Sequence, residues 1–223
     1  MTGTMDARPP LLFLDVDGPL IPFGATSRQL PGGYPTYRSP WLAPGSPGDG
    51  GNPLIARVDP ALGPRLAALP CELVWATTWM SDANDCLCPW LGLPPLPVVA
   101  WPDPMDEPDA ADEPGTPGGP DAPDRYGAPG GPWRRGGVHW KTRALVAWAD
   151  GRPFAWVDDE IGPADRDWVR AHHPAAALLH RVDPVRGLTD GDFTTLDAWL
   201  RSARGAKPRS PESPGGGAPT TES

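Results

Sequence analysis

Lysine is almost missing from this chain. Of its 223 residues 19 are basic, and the only lysines are Lys141 and Lys207. Long apolar runs are missing too. Nothing approaches the roughly 18 consecutive apolar residues that a membrane-spanning helix needs, so the sequence excludes such a helix. The first residues lack the basic, apolar and small-residue pattern of a secretory signal. Cysteine is scarce: Cys71, Cys86 and Cys88 are an odd number and do not suggest a disulfide framework. Cys86 and Cys88 are separated by one residue, whereas zinc-binding pairs are usually separated by two to four. These absences together lead us to expect a reducing, cytoplasmic setting.

Apolar residues are also below par. They make up 39% of the chain, against about 45–50% for a typical globular domain. The deficit traces to 34 prolines and 27 glycines, and these are clustered. Residues 102–132 hold nine prolines and six glycines with almost no large apolar side chain. Such a segment cannot bury enough surface to offset its ordering entropy. The sequence therefore predicts one domain over residues 8–204, a disordered insertion at 102–136, and a disordered tail at 205–223. A third loop-like stretch, residues 31–53, differs in carrying Tyr34, Tyr37 and Trp41.

Charge follows the same segmentation. The net charge is −9, and residues 103–125 alone hold eight acidic residues against one arginine. Removing that segment's −7 leaves a body near −2. A near-neutral body gives no electrostatic reason to expect a nucleic acid or an anionic membrane as partner.

Apolar strand signals recur at 11–15, 72–77, 96–100, 154–158 and 177–182. Helical spacing occupies 59–69, 81–91, 141–149, 165–172 and 190–204. Strands alternating with helices predict an α/β fold, a Rossmann-like parallel sheet with helices on both faces. No internal repeat is visible.

Polar residues fall at the ends of the predicted strands. The run Leu11–Leu14 leads into Asp15-Val16-Asp17-Gly18. Val74-Trp75-Ala76 ends in Thr77 and Thr78, and Phe154–Val157 ends in Asp158 and Asp159. In open α/β sheets ligands bind at the carboxyl ends of strands. Two carboxylates in one crevice repel unless a cation neutralises them, and hard, oxygen-liganded Mg²⁺ suits such a cluster. Lys141 opens the helix that precedes the Phe154 strand. A lysine in a chain that otherwise uses arginine points to a place needing a compact point charge.

Four motifs in this order resemble the haloacid dehalogenase-like (HAD) superfamily of phosphohydrolases: Asp-x-Asp, a strand-end Thr, a Lys and an acidic pair, over residues 11–159. The stretches WATTW, WKTRALVAW, RPFAWVDDE and VDPVRGLT resemble a group of small HAD-like proteins related to the HAD domains of RNA-repair proteins. Pro19 departs from the pattern, since the family often has Thr or Val there.

The resemblance implies a Mg²⁺-dependent phosphatase. Such proteins often insert a cap after the first motif or between the Thr and the Lys. Here the first place holds only a Pro/Gly-rich loop, and the second, between Thr77 and Lys141, a helix, a strand and the disordered insertion. A minimal or absent cap is therefore expected. The resemblance also implies Asp15 as nucleophile and Asp17 as acid and base. Thr77, or less favourably Thr78, would hydrogen-bond a phosphoryl oxygen, and Lys141 would neutralise charge. The metal would be held by Asp15, Asp158 and the Asp17 carbonyl, with Asp159 either supporting these ligands or reaching the metal through water. Tyr34, Tyr37 and Trp41 follow Asp17 where such proteins often place a cap. They are candidates for stacking on a substrate or for pinning their loop.

The expected substrate is phosphorylated, either a small molecule or a nucleic-acid end, and no membrane partner is expected. Two rival readings remain: processing of a polynucleotide 3′-phosphate, and a non-catalytic HAD-like interaction module. His139, His172, His173 and His180 show no metal spacing and read as structural or surface residues.

Overall fold

The structure is a computed structural model, and it describes residues 8–42, 52–101, 134–135 and 137–205. The first strand, β1 (Leu11–Leu14), is wholly buried, which is why it reads as an unbroken apolar run rather than an alternating one. It pairs in parallel with β2 (Glu72–Trp75) on one side and with β5 (Phe154–Asp158) on the other. The sixth strand, β6 (Ala177–Arg181), adds to β5 in parallel, giving the order β2-β1-β5-β6.

Period-2 alternation along β1 sorts the helices onto both faces. Leu12 and Leu14 join a core with Leu62 and Leu66 of α1 (Leu62–Ala67), Leu87 and Leu91 of α2 (Asp82–Leu91), and Phe193, Leu196 and Leu200 of α5 (Asp190–Gly205). Leu11 and Phe13 join a second core with Leu145 of α3 (Trp140–Ala149) and Val169 of α4 (Pro163–His172). Phe13 meets Trp148 and Phe154 edge-on, with ring centroids 5.5 Å and 5.4 Å away. The expected Rossmann-like α/β sheet with helices on both faces is the architecture observed.

Two local expectations need correction. Residues 96–100 do not form a full strand. Only Trp75 and Val98 bridge, through Trp75 N to the Pro97 carbonyl and Val99 N to the Trp75 carbonyl. Pro94, Pro95 and Pro97 lack the N–H groups that a longer ladder would need. The helix expected over 59–69 is the shorter α1, because residues 59–61 form a turn closed by Leu62 N on the Asp59 carbonyl.

A short antiparallel hairpin precedes α3. Its strands are β3 (Arg134–Arg135) and β4 (Val138–His139). Arg134 and Arg135 fall inside the insertion that was read as disordered, whereas residues 102–133 and 136 and the tail from 206 onward lie outside the described residues.

The topology decides where a site can form. From β1 the chain moves to β2 on one side, then returns to β5 and β6 on the other. The strand order therefore reverses at β1, and the crevice beyond the carboxyl ends of β1 and β5 is the switch point where such folds bind ligands.

Candidate active site at the switch point

Asp15 follows β1 directly, and its N–H donates to the Val157 carbonyl at 3.1 Å. That bond places it beside Asp158, the last residue of β5. Lys141 comes from the first turn of α3. Its Nζ lies 2.7 Å from Asp15 Oδ2 and 2.8 Å from Asp158 Oδ2, and all three side chains are buried. A cation in the first turn of a helix works against the helix dipole. The two carboxylates supply the compensation.

The first turn of α3 is held by its neighbours. His139 caps it, with Nδ1 accepting from Lys141 N at 3.2 Å, while the opposite ring nitrogen meets Glu160 Oε2 at 2.8 Å. Since Nδ1 accepts, Nε2 carries the proton and donates to Glu160. Asp165 of α4 is fully buried and accepts from His139 N at 2.6 Å, Thr142 Oγ1 at 2.7 Å and Gly162 N at 2.7 Å. Lys141 is thus clamped on both sides of its position in sequence.

The third carboxylate is Asp159. Oxygens of Asp15, Asp158 and Asp159 lie within 4.8 Å of one another. Gly18 makes this approach possible. Its φ is +86°, and a Cβ there would fall 2.6 Å from Asp159 Oδ1. Asp17 does not join this trio. It is half-buried, and its Oδ2 accepts from the indole Nε1 of Trp79 at 3.0 Å.

Electrostatics follow from three carboxylates sharing one ammonium. Burial works against the charge on Lys141, but Asp15 and Asp158 outweigh it and hold its pKa above the usual lysine value. Burial also opposes the Asp158 carboxylate, yet Lys141 and the Glu160 N–H keep its pKa below the ordinary range. Asp15 is left with the excess. Burial pushes it up to about 8, with Lys141 opposing and Asp158 adding. Burial, then the charges of Asp158 and Glu160, raises Asp159 to about 7. The cluster lacks positive charge, and an all-oxygen donor set of this kind suits a hard divalent cation.

No known family, curated protein or solved structure matches this chain.

The remaining candidates lie as follows. Thr77 is fully buried just past β2, at the same end of the sheet as Asp15, and its Oγ1 accepts from Trp79 N at 3.3 Å. Thr78 is exposed. Tyr34 takes the N–H of Ala25 on its hydroxyl at 2.8 Å and carries the Arg57 guanidinium 5.2 Å from its ring centroid. Tyr37 donates its backbone N–H to Ala56 at 2.7 Å and packs against the core. Trp41 is 55% exposed, its ring lying against Gly92, where a Cβ would come within 2.8 Å.

Trp79, His139 and Asp165 were not among the residues picked out for the site. An indole beside the Thr pair in WATTW and an acidic residue six positions after Asp159 were visible in sequence, but their partners were not.

Proposed function

We propose that this chain is a Mg²⁺-dependent phosphatase of the HAD type, acting on a phosphate monoester through an aspartyl-phosphate at Asp15. The observation that carries the reading is the buried Asp15–Lys141–Asp158 bridge, with Asp159 beside it, at the switch point of a parallel sheet.

Asp15, Asp158 and Asp159 are the residues that would hold the metal. Their raised or competing charges are what a divalent cation relieves. When bound, the cation neutralises carboxylate and phosphoryl charge, which leaves Asp15 ionised and approachable by an anion.

An Asp15 carboxylate oxygen attacks phosphorus as the bond to the leaving oxygen breaks. The Asp17 carboxyl group gives its proton to that leaving oxygen. It then takes a proton from the water that attacks the phosphoryl group, which frees phosphate and restores the Asp15 carboxylate. Trp79 holds Asp17 clear of the carboxylate trio for this task. Lys141 offsets the charge that builds on Asp15 and on the phosphoryl oxygens. Thr77 offers its hydroxyl to one of those oxygens.

The test is Mg²⁺-dependent hydrolysis of an aryl phosphate by the wild type and by Asp15→Asn. The variant keeps an acceptor for Lys141 and sheds the excess charge, so it stays folded. Its activity should fall at least about 10³-fold, a barrier rise of roughly 4 kcal/mol. Full activity in a folded Asp15→Asn protein overturns the assignment.

A further inference from the structure

A groove at the amino ends of the strands is walled by arginine. It lies beside Pro10, Arg152, Pro153 and residues 174–177, which lead into β1, β5 and β6, so it is at the opposite end of the sheet from Asp15. Its volume is about 740 Å³, within the roughly 300–1,000 Å³ typical of small-molecule sites. Arg8, Arg152, Arg166, Arg170, Arg204 and His173 line it, and among the described residues no aspartate or glutamate does.

Neutralisation of this wall is incomplete. Arg152 pairs with Glu72 at 2.7 Å, and Arg170 with Asp167 at 2.8 Å. Among the described residues Arg8, Arg166 and Arg204 have no carboxylate partner; Arg166 spends one donor on the Leu179 carbonyl. In a body whose own net charge is near −2, a groove with five arginines and no acidic residue among its described lining is a local reversal of sign.

Two buried polar atoms in the same wall are also unsatisfied: Arg152 Nε and His173 Nδ1. His173 is only 7% exposed. Its Nε2 meets the Arg152 carbonyl at 3.0 Å, and a carbonyl only accepts, so the ring proton sits on Nε2. Nδ1 is therefore an acceptor with no donor, and the Arg152 Nε–H of the same wall is a donor with no acceptor. Buried groups left this way are costly and uncommon in native structures. Together they call for a ligand bearing anionic oxygens and a hydroxyl.

We propose that this groove binds a phosphorylated small molecule of nucleotide size with at least two phosphoryl groups. Guanidinium forks match phosphoryl oxygens in shape as well as charge. The arginines come from three sides: the start and end of the domain (Arg8, Arg204), α4 (Arg166, Arg170) and the turn before β5 (Arg152). That spread suits more than one phosphoryl group. A ligand hydroxyl or P–OH donates to His173 Nδ1, and an anionic oxygen takes Arg152 Nε–H, after a small opening of the overlying side chains. The site is separate from the proposed active site and does not depend on that reading.

Calorimetric titration of the full chain with inorganic pyrophosphate, with a chelator present to exclude metal-dependent binding at the acidic cluster, tests this. We expect one site with a Kd of about 10–100 μM at low salt, and orthophosphate weaker by about tenfold, as fits fewer charge-assisted contacts. Arg8→Gln/Arg204→Gln removes two exposed side chains that have no hydrogen bond or ion pair within the described protein, so it should melt like the wild type. It should bind pyrophosphate at least about tenfold more weakly. His173→Gln is the second variant; its amide can still donate to the Arg152 carbonyl, and it too should bind more weakly. Asp15→Asn should bind like the wild type, because it lies at the other end of the sheet. The proposal is overturned if millimolar pyrophosphate gives no binding heat, or if the two variants bind like the wild type. It is also overturned if a short single-stranded RNA binds far more tightly than pyrophosphate and makes the groove a nucleic-acid track.

Discussion

The indole Nε1 of Trp79 stands 3.0 Å from Oδ2 of Asp17, across 62 residues of sequence. An indole N–H can only donate, so the contact fixes which way the carboxylate faces without competing for its second oxygen. Asp17 is not among the three carboxylates that gather around Asp158.

Trp79→Phe keeps the ring's packing and removes the donor. If Asp17 is the acid and base, kcat should drop about tenfold, the equivalent of roughly 1.4 kcal/mol, with KM little changed. Melting temperature should shift by no more than a lost hydrogen bond explains. A kcat equal to the wild type would show that the contact is only structural.

Lys141 separates charge from shape. Lys141→Arg keeps the positive charge, but the guanidinium is planar and too large for a buried position with Asp15 and Asp158 at 2.7 Å and 2.8 Å. Turnover should fall by about 10² or more, in line with losing a preorganised electrostatic partner. Lys141→Met should also cost stability, of the order of 3 kcal/mol, because two buried carboxylates lose their counter-charge. Chemical denaturation of the two variants against the wild type measures the difference. An arginine variant that turns over normally would make Lys141 a structural ion pair alone.

The sheet was legible from sequence because its central strand is buried on both faces. Leu11–Leu14 and Phe154–Val157 have no solvent-facing side to confuse the signal, and both end at the residues that matter. Lys141 was legible through its rarity. Residues 96–100 misled because apolar composition outweighed Pro97 and the two prolines just before the segment, Pro94 and Pro95, none of which can donate to a ladder. The partners of the site were not legible. Trp79 reaches Asp17, Asp165 reaches the His139 N–H across 26 residues, and Gly18 admits Asp159 to the cluster. Each is a tertiary contact with no local periodicity to announce it.

His173 gives a pH test at the far end of the fold. Burial pushes its pKa below the ordinary value of 6.5. The folded state therefore holds the ring neutral while the unfolded chain takes up a proton as pH falls. Its contribution to stability is present above pH 6.5 and is lost as pH drops below it. Asp15 and Asp159, raised to about 8 and about 7, act in the opposite sense, since the folded state binds their protons more tightly. The informative quantity is thus the difference between the wild type and His173→Gln. That difference should shrink on acidification from pH 7 to pH 5, an interval of about two units below which ordinary carboxylates begin to titrate. Thermal melts of both proteins across this interval read it directly, and a constant gap would mean that the ring takes up its proton equally well in the folded and the unfolded chain.

Gly18 is where the turn after Asp17 meets the carboxylate trio. Its φ of +86° lies in the left-handed region, and its missing side chain leaves room for Asp159, whose Oδ1 would sit 2.6 Å from a Cβ. Gly18→Ala meets both obstacles. The backbone strain costs about 1 kcal/mol or more. The clash is relieved most simply by Asp159 moving away, since Gly18 N is tied to the Ile21 carbonyl at 3.1 Å and the turn cannot easily give. Asp159 would then leave the trio, while the Lys141 bridge to Asp15 and Asp158 stays intact. We expect Mg²⁺ binding to weaken about tenfold for one lost carboxylate contact, and the melting temperature to fall by several degrees for a strain of this size. Asp159→Asn separates the two effects. It should weaken Mg²⁺ binding to a similar extent without lowering the melting temperature, because it removes charge and leaves the turn untouched. If Gly18→Ala binds Mg²⁺ as tightly as the wild type while Asp159→Asn does not, Asp159 holds its place by some other route. If neither variant changes Mg²⁺ binding, Asp159 is not a ligand.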